Sequence, residues 1–176
     1  MRVSIFIDGN NFYFGLKRIY GSNLSDFDFE KFCKFLSGDN ELVNIFYYNA
    51  DLDKERNFEK YKSQQKFFRI LEDIPKFNLV LCNLIKRRLG NEYYYVLKED
   101  DIHLAVDMVL GACDNKYDKA VIVSGDGDFV PAVLAAREKN KIVLNACFNK
   151  NTSVKLKKSC DGLIKLNKGI LDGCFK

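Results

Sequence analysis

The chain is short of the residues that most often mark a zinc site or a membrane. It holds one histidine, His103, and no tryptophan in 176 residues. Its six cysteines (Cys33, Cys82, Cys113, Cys147, Cys160 and Cys174) never fall as C-x-x-C. With a single histidine beside them, this argues against a Cys/His zinc site and for buried free thiols. No apolar run approaches the roughly 20 residues of a membrane helix. The N-terminal Met1-Arg2 leads into a strand-like run too short for a signal peptide, so a cytoplasmic location is expected. There is no internal repeat, low-complexity segment or interdomain linker. Residues 1–168 are therefore expected to form one domain, with 169–176 as a short C-terminal tail and the last ten residues prone to fray.

What is present describes a globular protein. The composition is 47% hydrophobic and 30% charged, on a chain long enough for a sizeable core. The formal net charge of +4 is unevenly spread. Residues 149–176 carry seven lysines against two aspartates, and residues 54–69 carry six Lys/Arg against two Glu. Lys86-Arg87-Arg88 forms a third basic cluster. Each cluster alone reads as a solvated face. Around an acidic centre, the same clusters suit a protein that holds phosphates with cations and a metal with carboxylates.

Apolar periodicity alternates between strand and helix. Val3–Ile7 reads as a buried strand. Asn10–Tyr20 reads as a helix with Phe12, Phe14 or Leu16, and Ile19 at core spacing. Asp28 is placed to cap a short helix through Leu36. Leu42–Tyr48 and Phe77–Leu84 read as strands, with a helix from about Glu55 to Leu71 between them. Lys86–Leu97 reads as a hairpin turning at Gly90-Asn91 or as an extended excursion. A helix from Asp101 to Cys113 follows, then strand Lys119–Val123. Next come helix Phe129–Lys139 with Pro131 in its first turn, strand Lys141–Cys147, helix Thr152–Lys158 and strand Leu163–Leu166. This alternation predicts an α/β fold of three layers, with a mostly parallel sheet of about five or six strands between helices.

Three separated stretches place carboxylates where strands should end: Ile7-Asp8-Gly9-Asn10-Asn11, Lys98-Glu99-Asp100-Asp101, and Val123-Ser124-Gly125-Asp126-Gly127-Asp128-Phe129. In an open α/β sheet, ligands bind beyond the carboxyl ends of the strands. Asp8, Asp126 and Asp128 sit at such ends. Asp101 opens a helix that begins at the same rim if it packs antiparallel to the strands. Each acid also has a structural explanation. Asp8-Gly9 makes a good turn, Asn10 or Asn11 can cap the first helix, Asp101 suits a first helical turn, and Asp128 can cap the helix after it. Capping needs only one of Asp126 and Asp128, however. Clustered carboxylates repel unless a cation neutralises them, and Mg²⁺ or Mn²⁺ prefers all-oxygen sites.

On these three stretches the chain resembles the NYN domain family, in its LabA-like branch, part of the PIN-like nuclease superfamily. The resemblance rests on Phe6-Ile7-Asp8-Gly9-Asn10-Asn11, on Lys98-x-x-Asp101 with Leu104-Ala105-Val106-Asp107-Met108, and on Val123 through Pro131. It covers residues 3 to about 147. It implies a PIN-like (Rossmann-like) fold and a metal-dependent ribonuclease. Asp8, Asp101, Asp126 and Asp128 match the acidic metal positions, Asn11 the polar residue beside the first acid, and Ser124 the small hydroxyl residue before Gly-Asp. Asp107 matches an acid often seen in this branch. It stands about 240° around the helix from Asp101, which suggests a supporting role. Where the family usually has Lys-Gly-Val-Asp, this chain has Lys98-Glu99-Asp100-Asp101. Either Asp100 or Asp101 can face the metal, and Asp101 keeps the spacing to Leu104-Ala105.

The expected chemistry is hydrolysis of a phosphodiester in RNA with Mg²⁺ or Mn²⁺ as cofactor, and without a histidine base. Lys98 is placed to reach a phosphate. Single-stranded RNA is the expected partner, with Lys86, Arg87, Arg88 and Tyr94 on a candidate platform for phosphates and unstacked bases. Gly125-Asp126-Gly127-Asp128 also resembles the late acidic motif of haloacid-dehalogenase phosphatases. Those enzymes need Asp-x-Asp after the first strand, and here Asp8-Gly9-Asn10 lacks the second acid. The remaining alternative is a non-catalytic RNA-binding or scaffolding module on the same fold. A homodimer fits either reading.

Overall fold

The innermost strand explains the layering. In β1 (Arg2–Asp8), Val3, Ile5 and Ile7 join the core on one side of the sheet and Phe6 joins the core on the other. A strand apolar on both faces must be covered on both. The computed structural model describes residues 1–21, 26–90, 92–148 and 152–176, with Leu97 and Lys98 described in their backbone only.

After β1 come α1 (Gly9–Tyr20), α2 (Phe29–Ser37), β2 (Glu41–Ala50), α3 (Phe58–Glu72), β3 (Phe77–Leu89), β4 (Glu92–Lys98) and α4 (Asp100–Cys113). Then follow β5 (Lys119–Val123), α5 (Val130–Glu138), β6 (Ile142–Phe148), α6 (Val154–Ser159), β7 (Gly162–Leu166) and α7 (Lys168–Leu171). The strands form one sheet in the order β4-β3-β2-β1-β5-β6-β7. All neighbours pair in parallel except β3 and β4. One face packs against Phe12 and Leu16 of α1, Phe32 of α2, Phe68 and Leu71 of α3, and Leu171 of α7. The other packs against Leu104 and Met108 of α4, Val133 and Ala136 of α5, and Leu156 of α6. This is the expected three-layer α/β fold, with seven strands rather than five or six.

The additional strand comes from the hairpin. β3 is a single strand of 13 residues. Its first part, Phe77–Cys82, pairs with β2, and its second, Asn83–Leu89, pairs antiparallel with β4. Leu89 pairs with Glu92, so Gly90, at φ 61°, opens the turn. Asn91 lies outside the described residues. Helix α3 starts at Phe58 rather than near Glu55 because Asn57 caps it, its side chain accepting from the Lys60 N–H at 2.9 Å.

The C-terminal end is docked rather than frayed. Leu171 and Cys174 are buried. Cys174 accepts from the Asp28 N–H at 2.7 Å through its carbonyl, and Lys176 N–H donates to the Asp26 carbonyl at 3.0 Å. Tyr20 donates to Asp172 at 2.8 Å and its ring meets Phe175. All six cysteines are free; Cys33, Cys147 and Cys174 are buried, whereas Cys113 is exposed against expectation. No helix among the described residues is long and apolar enough to cross a membrane.

Topology creates a crevice. From β1 the chain winds outward through β2 and β3, then returns to β5 on the other side of β1 and winds outward through β6 and β7. The reversal falls between the carboxyl ends of β1 and β5, where an open α/β sheet binds its ligand.

Candidate active site

Asp8 ends β1 at this switch point and is 7% exposed. The backbone behind it is tightly placed. A side chain at Gly9 would stand 2.5 Å from the Tyr48 carbonyl and 2.7 Å from the Tyr47 ring. Glycine is therefore required where α1 leaves the sheet. Asp8 itself caps α1, its Oδ1 accepting from the Asn11 N–H at 2.9 Å. Capping thus falls to Asp8 and not to Asn10 or Asn11.

The third acidic stretch is bonded directly to the first. Ser124 Oγ donates to Asp8 Oδ2 at 2.8 Å and accepts from the Asp126 N–H at 3.1 Å. The Gly125 N–H donates to Asn11 Oδ1 at 3.2 Å. Asn145 on β6 supports the loop, donating through Nδ2 to the Ser124 carbonyl at 2.8 Å. Sequence reading missed Asn145. Its signal was a polar residue inside an otherwise apolar strand.

A pocket of about 260 Å³ opens here, lined by Asp8, Asn11, Asp100, Asp101, Gly125 and Asp126, and by Asn10, Phe14, Gly15, Arg18, Phe148 and Thr152. Three of the four acids singled out in the sequence, Asp8, Asp101 and Asp126, thus share one pocket. Asp100 shares it too, so the structure brings both members of that pair to the site.

Asp128 does not line this pocket. A short 3₁₀ turn, Gly127–Phe129, precedes α5, and Asp126 Oδ1 caps it by accepting from the Asp128 N–H at 2.9 Å. Asp128 points no capping bond at α5, whose N-cap residue is Phe129. It stays exposed, near enough to Asp101 for its charge to be felt there. Asp107 accepts from the Tyr48 hydroxyl at 3.0 Å and lies outside the pocket. Lys98 ends β4, and its side chain lies outside the described residues. His103 is exposed on α4. Lys86, Arg87, Arg88 and Tyr94 lie on the β3–β4 hairpin and do not line the pocket.

The electrostatics are those of crowded acids. Burial pushes the Asp8 carboxyl up to about 6, against the pull of its bonds from Asn11 and Ser124; the charges of Asp100 and Asp126 add to the rise. Burial also raises Asp101, to about 7, and Asp100, Asp8, Asp126 and Asp128 push the same way. Asp100 is raised by burial. A cation beside these groups would favour their ionised form.

The donor set fits a hard divalent ion that keeps water. Among the described residues, no three acidic, histidine or cysteine side chains stand close enough to grip an ion directly. The carboxylates instead surround an open space of about 260 Å³. Mg²⁺ dehydrates reluctantly and is commonly bound by one or two carboxylates with waters retained. All donors are oxygen, which also suits Mn²⁺.

Comparison with known proteins decides the family. The family model described as the NYN domain matches residues 2–167. The chain belongs to the NYN domain family. It is 26% identical to the "Low amplitude and bright protein LabA" of Synechococcus elongatus, over 94% of this chain and 84% of that one. It also resembles the crystal structure of a protein of unknown function from Vibrio parahaemolyticus, with a TM-score of 0.72 and 27% identity over 95% of this chain and 93% of that one. These findings bear out the NYN and LabA-like resemblance and the α/β fold. Membership in this family of PIN-like nucleases supports a nuclease-related role.

Proposed function

We propose that this NYN domain protein is a ribonuclease that hydrolyses phosphodiester bonds of single-stranded RNA with Mg²⁺ or Mn²⁺. The observation that carries the reading is the buried Asp8 carboxylate, bonded to Ser124 and sharing one pocket with Asp100, Asp101 and Asp126 at the switch point of the sheet. Asp8, Asp101 and Asp126 would hold the ion, with Asp100 beside them. When bound, such an ion stabilises charge on the phosphate oxygens and makes water a better nucleophile near neutral pH.

The protein's own part is positioning. The Ser124 hydroxyl and Asn11 N–H fix both oxygens of Asp8. Asn11 Oδ1 holds the Gly125 N–H, which sets the distance between the first and third acidic stretches. Asp128, at the margin, would act through water, and Asp107 keeps the buried Tyr48 hydroxyl satisfied.

The test is incubation of purified protein with labelled single-stranded RNA and DNA in Mg²⁺, Mn²⁺ or EDTA. Cleavage of RNA that needs the metal and falls by roughly 100-fold or more in Asp8→Asn and Asp126→Asn is expected. Activity equal to wild type in those variants would refute the assignment. The alternative is a non-catalytic RNA-binding or scaffolding module, since a fold does not by itself fix catalysis. Binding without cleavage in Mn²⁺, unchanged by Asp126→Asn, would establish it.

A further inference from the structure

Beyond Asn11, the pocket has a second wall that the hydrolytic chemistry leaves unused. Asn11, Phe14, Gly15 and Arg18 of α1 all line it. Their spacing of three, four and seven residues puts one helix face along the pocket. Phe12 and Leu16 point into the core, while Phe14 is 48% exposed. An exposed phenylalanine alone says little. This one lines the pocket together with Phe148, and one turn further along is a cation, Arg18. A side chain at Gly15 would lie 2.1 Å from the Phe148 ring, so the helix rests directly against that ring. Arg18 makes no ion pair with any described residue, although the facing wall is acidic.

We propose that this wall is a nucleotide subsite, in which Phe14 stacks on a base of a single-stranded polynucleotide and Arg18 pairs with a phosphate away from the cleaved bond. Every base has a face for stacking, so an aromatic beside a cation suits single strands of any sequence. Asn11 and Arg18 are seven residues apart, about 10 Å along the helix. That is about three rises of a stacked strand, so a chain whose phosphate lies at the acids runs naturally past Arg18. Two of the three hairpin tyrosines are already engaged, and the third, the exposed Tyr94, lies away from the pocket. Tyr93 lies under the Lys86 ammonium at 4.5 Å, and the Tyr95 hydroxyl donates to Asp53.

The subsite rests on the reading of the pocket as one that handles phosphodiesters, yet its test needs no catalysis. Binding of a labelled eight-nucleotide RNA, and of DNA of the same sequence, is measured by fluorescence anisotropy in EDTA across a salt series. Phe14→Ala should weaken binding by about 5- to 150-fold, the value of one stacked base, with the salt slope unchanged. Phe14→Trp should restore it, and Phe14→Leu should not. Arg18→Ala should weaken binding and make the slope of log K against log salt shallower by about 0.7, the loss of one phosphate contact. Arg18→Lys should recover the slope. These losses on either polymer support the subsite even if no cleavage is found, in which case only the hydrolytic reading falls. Binding within twofold of wild type in Phe14→Ala and Arg18→Ala, Phe14→Leu as tight as wild type, or no binding of either polymer would overturn it. Both side chains are exposed, and thermal melts establish that the variants are folded.

Discussion

Asp8→Asn should make the metal-free protein more stable while removing the proposed metal-dependent cleavage. The Asp8 carboxyl is held at about 6 against an ordinary 3.8, chiefly because it is buried. Above both values the folded state must carry a charge it resists, which costs about 3 kcal/mol. Asparagine removes that charge but accepts with one oxygen where aspartate accepts with two. One of the bonds from Asn11 N–H or Ser124 Oγ is therefore lost, at about 1 kcal/mol. The net gain is about 2 kcal/mol, or roughly 4–8 °C in Tm for a domain of this size.

The sign depends on pH in a definite way. A folded-state value above the unfolded one means the folded protein binds the proton more tightly. The wild type is therefore relatively most stable below about 4 and loses that stability as pH rises through about 6. The variant's advantage should be absent near pH 4 and complete by about pH 8. Urea and thermal melts in EDTA across this range measure it. In Mn²⁺ or Mg²⁺ at 100 times its dissociation constant, the wild type should gain about 2.7 kcal/mol and the variant less, reversing or closing the gap. A variant no more stable than wild type at pH 8 in EDTA, or an advantage that does not change with pH, would refute the reasoning.

Other substitutions test the supports of the site. Ser124→Ala leaves the Asp126 N–H without its acceptor and Asp8 Oδ2 without its donor. It should cost about 1–3 kcal/mol in urea melts and weaken Mn²⁺ binding about 10- to 100-fold by calorimetry. Gly15→Ala drives a methyl into the Phe148 ring. The overpacking should outweigh the better helix propensity and destabilise by about 1–3 kcal/mol in the same assay. Truncation after Leu166 removes the buried Leu171 and Cys174 and the strand-like contact of Phe27 with Phe175. It should lower stability by about 2–5 kcal/mol, read as a shift in the urea midpoint.

The layers were legible because each central strand is apolar on both faces, as in Val3–Ile7 and Ala120–Val123. The length of β3 was not. Lys86-Arg87-Arg88 has no inward face to declare, since this part of the strand projects past β2 and pairs only with β4. A strand made by its partner leaves little periodicity of its own. The C-terminal tail misled for a related reason. Leu171, Cys174 and Phe175 are too few and too irregularly spaced to announce an element, yet they close the core beneath Phe27.

The site divides along the same line between local and tertiary information. Ser124 and Asp8, 116 residues apart, are bonded because β1 and β5 are neighbours. The alternation of strands and helices predicts a parallel sheet, and the reversal beside β1 that makes these two strands neighbours is set by the tertiary fold. What a side chain does within a turn was harder to assign. Asp126 and Asp128 differ by two residues, and the 3₁₀ turn makes the first cap the second's N–H and line the pocket, while the second stays outside it. Asp107 turned on a tyrosine two strands from β5, whose buried hydroxyl needed an acceptor. The α1 wall is the instructive omission. The sequence left Phe14 or Leu16 open at core spacing; the structure buries Leu16 with Phe12, and Phe14 stands about 200° from Phe12. Its aromatic side chain therefore faces away from the core, on the turn next to Arg18. Its use became visible only when the acids were found on the other side of the same pocket.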